Sequence, residues 1–235
     1  NGLMKATSGK VFIDGKDIWE NKSEIRKIRS KVGLVFQYPE YQLFEETVYK
    51  DIAFGPKNIG MTEEETHKAV LDSAKLMKVR DNMLEKSPFD LSGGQKRRVA
   101  IAGVMAMEPE IIIFDEPTAG LDPSGRETIF KAIRDYRKKK NATVIIVSHS
   151  MEDIAAICDK VLVMNGGEVA LFGETREVFS KKDLLKEKGL NVPLVTNVMH
   201  ELKRKYPQLN ADVLTVEEAV NSLLEFVNKE GNGDA

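Results

Sequence analysis

A single cysteine, Cys158, rules out any disulfide within the chain, and so sparse a use of thiols fits a reducing compartment. Its expected state is buried and inert. Long apolar runs are missing too. The longest, such as Ile111 to Phe114 and Val144 to Val147, fall far short of the roughly 20 residues a bilayer-spanning helix needs, so none is predicted. Net charge is nearly absent: 35 Lys and Arg stand against 37 Asp and Glu, giving −2. That balance leaves no overall electrostatic footprint for nucleic acid or an anionic membrane, so partner choice must rest on local sites. The opening Asn1-Gly2-Leu3 shows neither an initiating Met nor a charged-then-apolar signal segment, and the expectation is of a fragment. What is present is 235 residues, 42% of them hydrophobic, enough for a real core in one large or two modest domains.

The order of local signals describes a mixed α/β chain. Asp14-Gly15, flanked by Val11-Phe12-Ile13 and Ile18, predicts a tight antiparallel hairpin at the start. Val32 to Phe36 reads as a buried strand that runs into a polar and aromatic loop, Gln37-Tyr38-Pro39-Glu40. Thr62 to Glu65 has the form of a capping box, and Ala69, Val70, Ala74, Leu76 and Met77 follow it at helical spacing. Ile111 to Phe114 and Thr143 to Val147 read as buried parallel strands, joined by a crossover helix carrying Ile129, Phe130, Ile133 and Tyr136. Lys138 to Lys140 then sit where cations complement a helix C-terminus, so this charge run is read as a solvated helix end. Asn165-Gly166-Gly167 predicts a second hairpin between Val161 to Met164 and Glu168 to Phe172. Beyond Gly173 the chain becomes charged and helical, with a second capping box expected at Thr215 to Glu218 and a polar Gly-Asn-Gly-Asp-Ala end.

Two segments carry chemistry. Ile111-Ile-Ile-Phe-Asp115-Glu116 places adjacent carboxylates at the C-terminal end of an apolar strand, where open α/β sheets gather their ligands. This is the Walker B pattern, in which one carboxylate helps to hold Mg²⁺ and the next polarises a water for attack on a γ-phosphate. Read by itself, the pair is equally a polar strand end before Pro117. Leu91-Ser92-Gly93-Gly94-Gln95 sets a hydroxyl and two unhindered glycines at the start of a helical run, Arg98 to Met107. Backbone N–H groups, the Ser92 hydroxyl and the helix dipole can there converge on phosphate oxygens. The plainer reading is a glycine loop with a Ser N-cap.

Taken in order, these segments resemble an ABC-transporter nucleotide-binding domain. The resemblance makes Gln37 the Q-loop glutamine, Leu91 to Gln95 the signature, Asp115-Glu116 Walker B, Ala119 to Asp122 the D-loop and His149 the switch histidine. Finer similarity, in Phe36 to Phe44, Asp51 to Pro56 and Ser87 to Arg98, is to the ATPases of energy-coupling-factor (ECF) importers, in particular the second of their two paralogous types. It implies a P-loop NTPase-like ABC fold, with a mostly parallel core sheet, an antiparallel edge β-subdomain and a helical subdomain at about 45–108. Residues 1–173 would form the nucleotide-binding domain and 174–235 a helical dimerisation appendage. ATP and Mg²⁺ are the implied cofactors. Glu116, His149 and Gln37 are expected at the reaction; Ser92, Gly93, Gly94, Gln95 and Asp122 on nucleotide; Asp115 and Gln37 at Mg²⁺. The implied partners are a paralogous ABC ATPase, or a second copy, together with a transmembrane coupling protein and a substrate-capture membrane protein. Nucleic acid is not among them, and the implied location is the cytoplasmic face of the cell membrane. His67 and His200 receive no role.

One motif of the family is missing. No G-x-x-x-x-G-K-[ST] occurs, and Ser8-Gly9-Lys10 is a decoy, with Val11 in place of the hydroxyl residue and Met4 in place of the first glycine. Asn1 to Met4 resembles the end of the helix that follows the phosphate loop, so that loop is expected upstream and this stretch alone is expected to be inactive. A soluble ABC ATPase acting on nucleic acid or ribosomes, and an assembly module that only presents its signature to a partner, remain open alternatives at this point.

Overall fold

A computed structural model describes residues 1–231, so the last four residues of the predicted polar end lie outside the described residues. The chain divides into two compact units, Asn1–Val147 and Ser148–Ala235.

The first unit opens with the expected hairpin, β1 (Phe12–Ile13) and β2 (Lys16–Asp17), paired antiparallel through Asp14 and Gly15. Both turn residues have positive φ, 51° and 74°, as the tight turn requires. Residues 1–11 contain bends and no helix. Gly2 stands at φ 71°, the left-handed conformation that glycine adopts without strain. Then come α1 (Ile25–Lys31), β3 (Val32–Val35), α2 (Val48–Ile59), α3 (Glu63–Leu76), α4 (Gly93–Ala106), β4 (Ile111–Asp115), α5 (Pro123–Lys140) and β5 (Thr143–Val147). Strands β3, β4 and β5 form one parallel sheet in that order.

Strand β4 lies between the other two, with Ile112 and Phe114 fully buried on one face. Helix α5 is amphipathic as predicted, burying Ile129, Phe130, Ile133 and Tyr136, and the Tyr136 hydroxyl donates to the Pro109 carbonyl at 3.0 Å. Its last turn is Arg137 to Lys140, where Lys139 pairs with Asp72 and Lys140 with Glu108. The solvated helix end is therefore also an electrostatic tie to two neighbouring segments. Helices α2 and α4 approach closely at glycines: a Cβ on Gly55 would come within 2.7 Å of the Met107 side chain. The capping box of α3 is complete, with Thr62 Oγ1 accepting from the Glu65 N–H and Glu65 accepting from the Thr62 N–H.

Strand β5 departs from expectation. It is parallel but not buried, with Ile145 45% and Val147 51% exposed. It is an edge strand whose outer side has no strand partner among the described residues, and a parallel sheet buries its strands only where both flanks are covered.

The second unit contains α6 (Met151–Ile157), the predicted hairpin of β6 (Lys160–Asn165) and β7 (Glu168–Glu174), and four further helices. These are α7 (Thr175–Ser180), α8 (Lys182–Glu187), α9 (Leu194–Lys205) and α10 (Val216–Gly231). A small core of Met199, Leu209, Ala211, Val213 and Ala219 joins α9 to α10. The second capping box is only half formed. Thr215 Oγ1 accepts from the Glu218 N–H, but the Glu218 carboxylate turns to the Leu214 N–H and to Arg176 instead. Cys158 is half-buried rather than buried, and desolvation with the nearby Asp159 pushes its thiol up to about 11, which keeps it unreactive. No helix among the described residues is long and apolar enough to cross a membrane.

Removal of core volume at Ile112 is expected to cost far more than the same change on β5. Ile112→Ala should lower the unfolding free energy by about 2–5 kcal/mol and Ile145→Ala by under about 1 kcal/mol, as read from urea unfolding curves.

Candidate active site

Parallel pairing places the candidate residues at one edge. Val35 lies opposite Phe114, and Phe114 opposite Ile146, so the chain leaves β3 and β4 side by side. Gln37, exposed two residues beyond β3, thus follows its strand at the same sheet edge at which Asp115 and Glu116 follow Phe114. Asp115 is the last residue of β4, on the face opposite Ile112 and Phe114 because side chains alternate along a strand. Glu116 follows with its backbone N–H donating to the Val147 carbonyl at 2.9 Å and its φ at 47°. A β-unbranched but bulky residue in left-handed backbone is strained, and such strain persists where surrounding bonds over-determine it. The turn continues as the Ala119 N–H donates to the Glu116 carbonyl, and Asp122 then caps α5 by accepting from the Gly125 N–H at 2.9 Å.

The signature lies at the tip of α4. Ser92 is its N-cap in a complete capping box: the Gln95 side chain accepts from the Ser92 N–H at 2.9 Å, and Ser92 Oγ faces the Gln95 N–H at 3.4 Å. The plainer reading of this segment as a Ser cap is thus realised, and it coexists with an exposed hydroxyl and an exposed Gly93. A Cβ on Gly94 would stand 3.9 Å from Leu121, so the tip of α4 adjoins the D-loop. A cleft of about 830 Å³ beside it is lined by Gln95, Arg98, Ser124, Thr128 and Lys75 among others, and includes neither carboxylate.

His149 belongs to the second unit, exposed in the short segment before α6. His67 hydrogen-bonds the Tyr49 hydroxyl through Nδ1 at 3.0 Å, a structural contact between α2 and α3. Among the described residues no group of three or more His, Cys, Asp or Glu is gathered to hold a metal. Asp115 and Gln37 instead offer hard oxygen donors at one strand edge. That donor set fits Mg²⁺, which characteristically takes one or two protein oxygens and completes its shell with phosphate and water.

One contributor was not foreseen. Arg97, only 3% exposed, donates from Nε and Nη2 to the two carboxylate oxygens of Glu40 at 3.0 and 2.8 Å. Its Nη1 donates to the Ala119 carbonyl, and its Cζ lies 5.6 Å from the Tyr38 ring centroid. A signal existed: Arg97 shares the helical spacing of the buried Ile101 and Met105, one and two turns on.

The family profile described as ABC transporter matches residues 1–119. The chain belongs to the ABC transporter family. Within it, the chain falls among the energy-coupling factor ATP-binding proteins. It is 51% identical over 227 residues to the energy-coupling factor transporter ATP-binding protein EcfA2 of Caldanaerobacter subterraneus, covering 97% of this chain and 79% of that protein. The EcfA2 of Clostridium perfringens is 53% identical over 228 residues, with 97% and 80% covered. Among solved structures, cbiO1 of Clostridium perfringens, part of the ABC transporter complex cbiONQ, superposes with a TM-score of 0.70 at 39% identity, over 86% of this chain and 79% of that one. A dimeric ATP-binding cassette in a post-hydrolysis state with ADP and Pi gives 0.65 at 30% identity, over 74% and 76%. These cassettes confirm the expected ABC ATPase fold class.

The Ser92 cap makes a stability prediction that is separate from phosphate binding. Ser92→Ala should lower stability by about 1 kcal/mol, and Ser92→Asp, which preserves the cap, should restore most of it in chemical denaturation.

Proposed function

We propose that this chain is the ATP-hydrolysing subunit of an energy-coupling-factor importer for vitamins or transition-metal ions. The observation that carries this reading is the shared edge of the parallel sheet, at which the segments bearing Gln37 and Asp115-Glu116 both leave their strands, in a chain about half identical to EcfA2 proteins. Two ABC subunits enclose ATP, each presenting Ser92 to Gln95 to the γ-phosphate held by the other. The Ser92 hydroxyl and the N–H groups of Gly93 and Gly94 bind phosphate oxygens at the positive end of α4. Asp115, with Gln37, holds Mg²⁺, which when bound neutralises charge on the β- and γ-phosphates. Glu116 orients the attacking water and takes its proton. His149 donates a hydrogen bond to the transferring phosphoryl group, and Asp122 holds the D-loop at the start of α5. Residues 1–235 contain no G-x-x-x-x-G-K-[ST], so we infer that this stretch alone presents its signature rather than turning ATP over.

The proposed domains are a nucleotide-binding domain at 1–173, its helical subdomain at about 45–108, and an appendage at 174–235. The appendage serves dimerisation with a paralogous ATPase, or with a second copy. Supporting this, α10 exposes Val216, Val220, Leu224 and Val227, an apolar stripe at helical spacing. A transmembrane coupling protein docks on the surface following Gln37, on the cytoplasmic face of the membrane, while a separate membrane protein captures the substrate. That surface exposes Tyr38, Tyr41, Phe44 and Phe54, with Tyr41 85% accessible and Phe44 packed edge-on to Phe54 at 4.8 Å. Exposed aromatics in such density mark contact surfaces. The net charge of −2 favours a protein partner over nucleic acid.

In the full-length protein with its partners, Glu116→Gln is expected to keep ATP binding and to reduce turnover by at least ~10². Equilibrium binding of a fluorescent ATP analogue and steady-state phosphate release measure the two; near-normal release would reject the role given to Glu116.

A further inference from the structure

Three segments meet at a single guanidinium. We propose that Arg97 is a positioning residue for ATP hydrolysis, which makes the docking segment after β3 and the D-loop backbone move as one. The proposal rests on the reading of this chain as an ABC ATPase. All five donors of an arginine lie in one rigid plane. In this plane Nε and Nη2 are taken by the Glu40 carboxylate and Nη1 by the Ala119 carbonyl. Glu40 lies in the 3-10 turn Pro39–Gln42, two positions beyond Tyr38, whose own backbone is left-handed at φ 54°. Ala119 lies three residues beyond Glu116, and its N–H closes the turn on the Glu116 carbonyl. Because the fork is planar, Glu40 cannot shift without rotating the guanidinium away from Ala119. A displacement of the docking segment is therefore delivered to the turn that holds Glu116.

The Ala119 carbonyl satisfies a donor of Arg97 that burial would otherwise leave unpaired, and it does so from the turn that holds Glu116. The side chain is nearly sealed from water, so its bonds are unscreened and the geometry is enforced rather than sampled. Lysine in this position offers an ammonium that can reach one acceptor well but cannot reproduce the fork. Glutamine at position 40 keeps the shape and one acceptor but loses the charge-assisted pair.

The test uses the full-length protein, purified with the subunits that accompany it from its host's membranes. Three variants are compared with wild type: Arg97→Lys, Glu40→Gln, and the reversed pair Glu40→Arg with Arg97→Glu. Turnover is expressed per ATP site counted with a fluorescent ATP analogue, which removes any loss of folded protein from the comparison. Arg97→Lys is expected to lower kcat by about tenfold or more while KM for ATP stays within about twofold, because an interaction that matters only at the reaction step changes kcat alone. Glu40→Gln is expected to lower kcat in the same sense by a smaller factor. The reversed pair restores the ion pair, yet a carboxylate at position 97 has no N–H for the Ala119 carbonyl, so its kcat stays low. Full kcat in the reversed pair, or in folded Arg97→Lys, would overturn the proposal and leave Arg97 as a structural ion pair. Should Arg97→Lys fail to fold, unchanged kcat in Glu40→Gln overturns it equally. Wild-type protein without ATP turnover would instead overturn the functional reading itself.

Discussion

The in-phase register of a three-stranded parallel sheet is the constraint from which the site follows. In a parallel sheet every strand leaves at the same edge, so loops far apart in sequence are delivered together without further instruction. Here Val35, Phe114 and Ile146 lie in one row, and the polar residues that follow two of these strands are the candidate metal and water ligands. A slip of even one residue would turn Asp115 toward the buried face now held by Ile112 and Phe114. The apolar strands thus set the position of the charged groups more than the charged groups set themselves.

Helix α4 is the second organising member, and it shows how one element can serve several ends. Its tip presents an exposed hydroxyl and glycines, its buried face holds Val99, Ile101, Ala102 and Met105, and a single cation on that face reaches two loops. Placing Arg97 among aliphatic neighbours is costly unless each donor finds an acceptor. The carboxylate of Glu40 and the carbonyl of Ala119 meet three of them, so the same bonds that make the charge tolerable also join the loops.

Much of this arrangement was legible in the amino-acid order, and the reasons are local. Asp14-Gly15 and Gly166-Gly167 specify turns through backbone preference alone, and Thr62 with Glu65 specifies a helix start through reciprocal bonds. Asp115, Glu116 and Ser92 were legible because each sits at the boundary of a strongly patterned element. Long-range facts were harder to read. The wetness of β5 depends on which neighbours the sheet supplies, which its own run of β-branched residues does not encode. Glu218 left its box because Arg176, 42 residues away, competes for it. Arg97 sits in a run of three cations whose members look alike until the helix face is known, and only then does one of them point inward.

The backbone of Glu116, at φ 47°, has a consequence of its own. A left-handed backbone at this position is a conformation that glycine or asparagine adopts with less strain, so either residue there would ease the local fold. Lys78 and Glu108 share that backbone region at φ 53°, so the cost at Glu116 is one of several that the fold absorbs through its neighbouring bonds. Under the role proposed for Glu116, backbone ease and a carboxylate at the strand end are alternatives set against each other at a single φ angle.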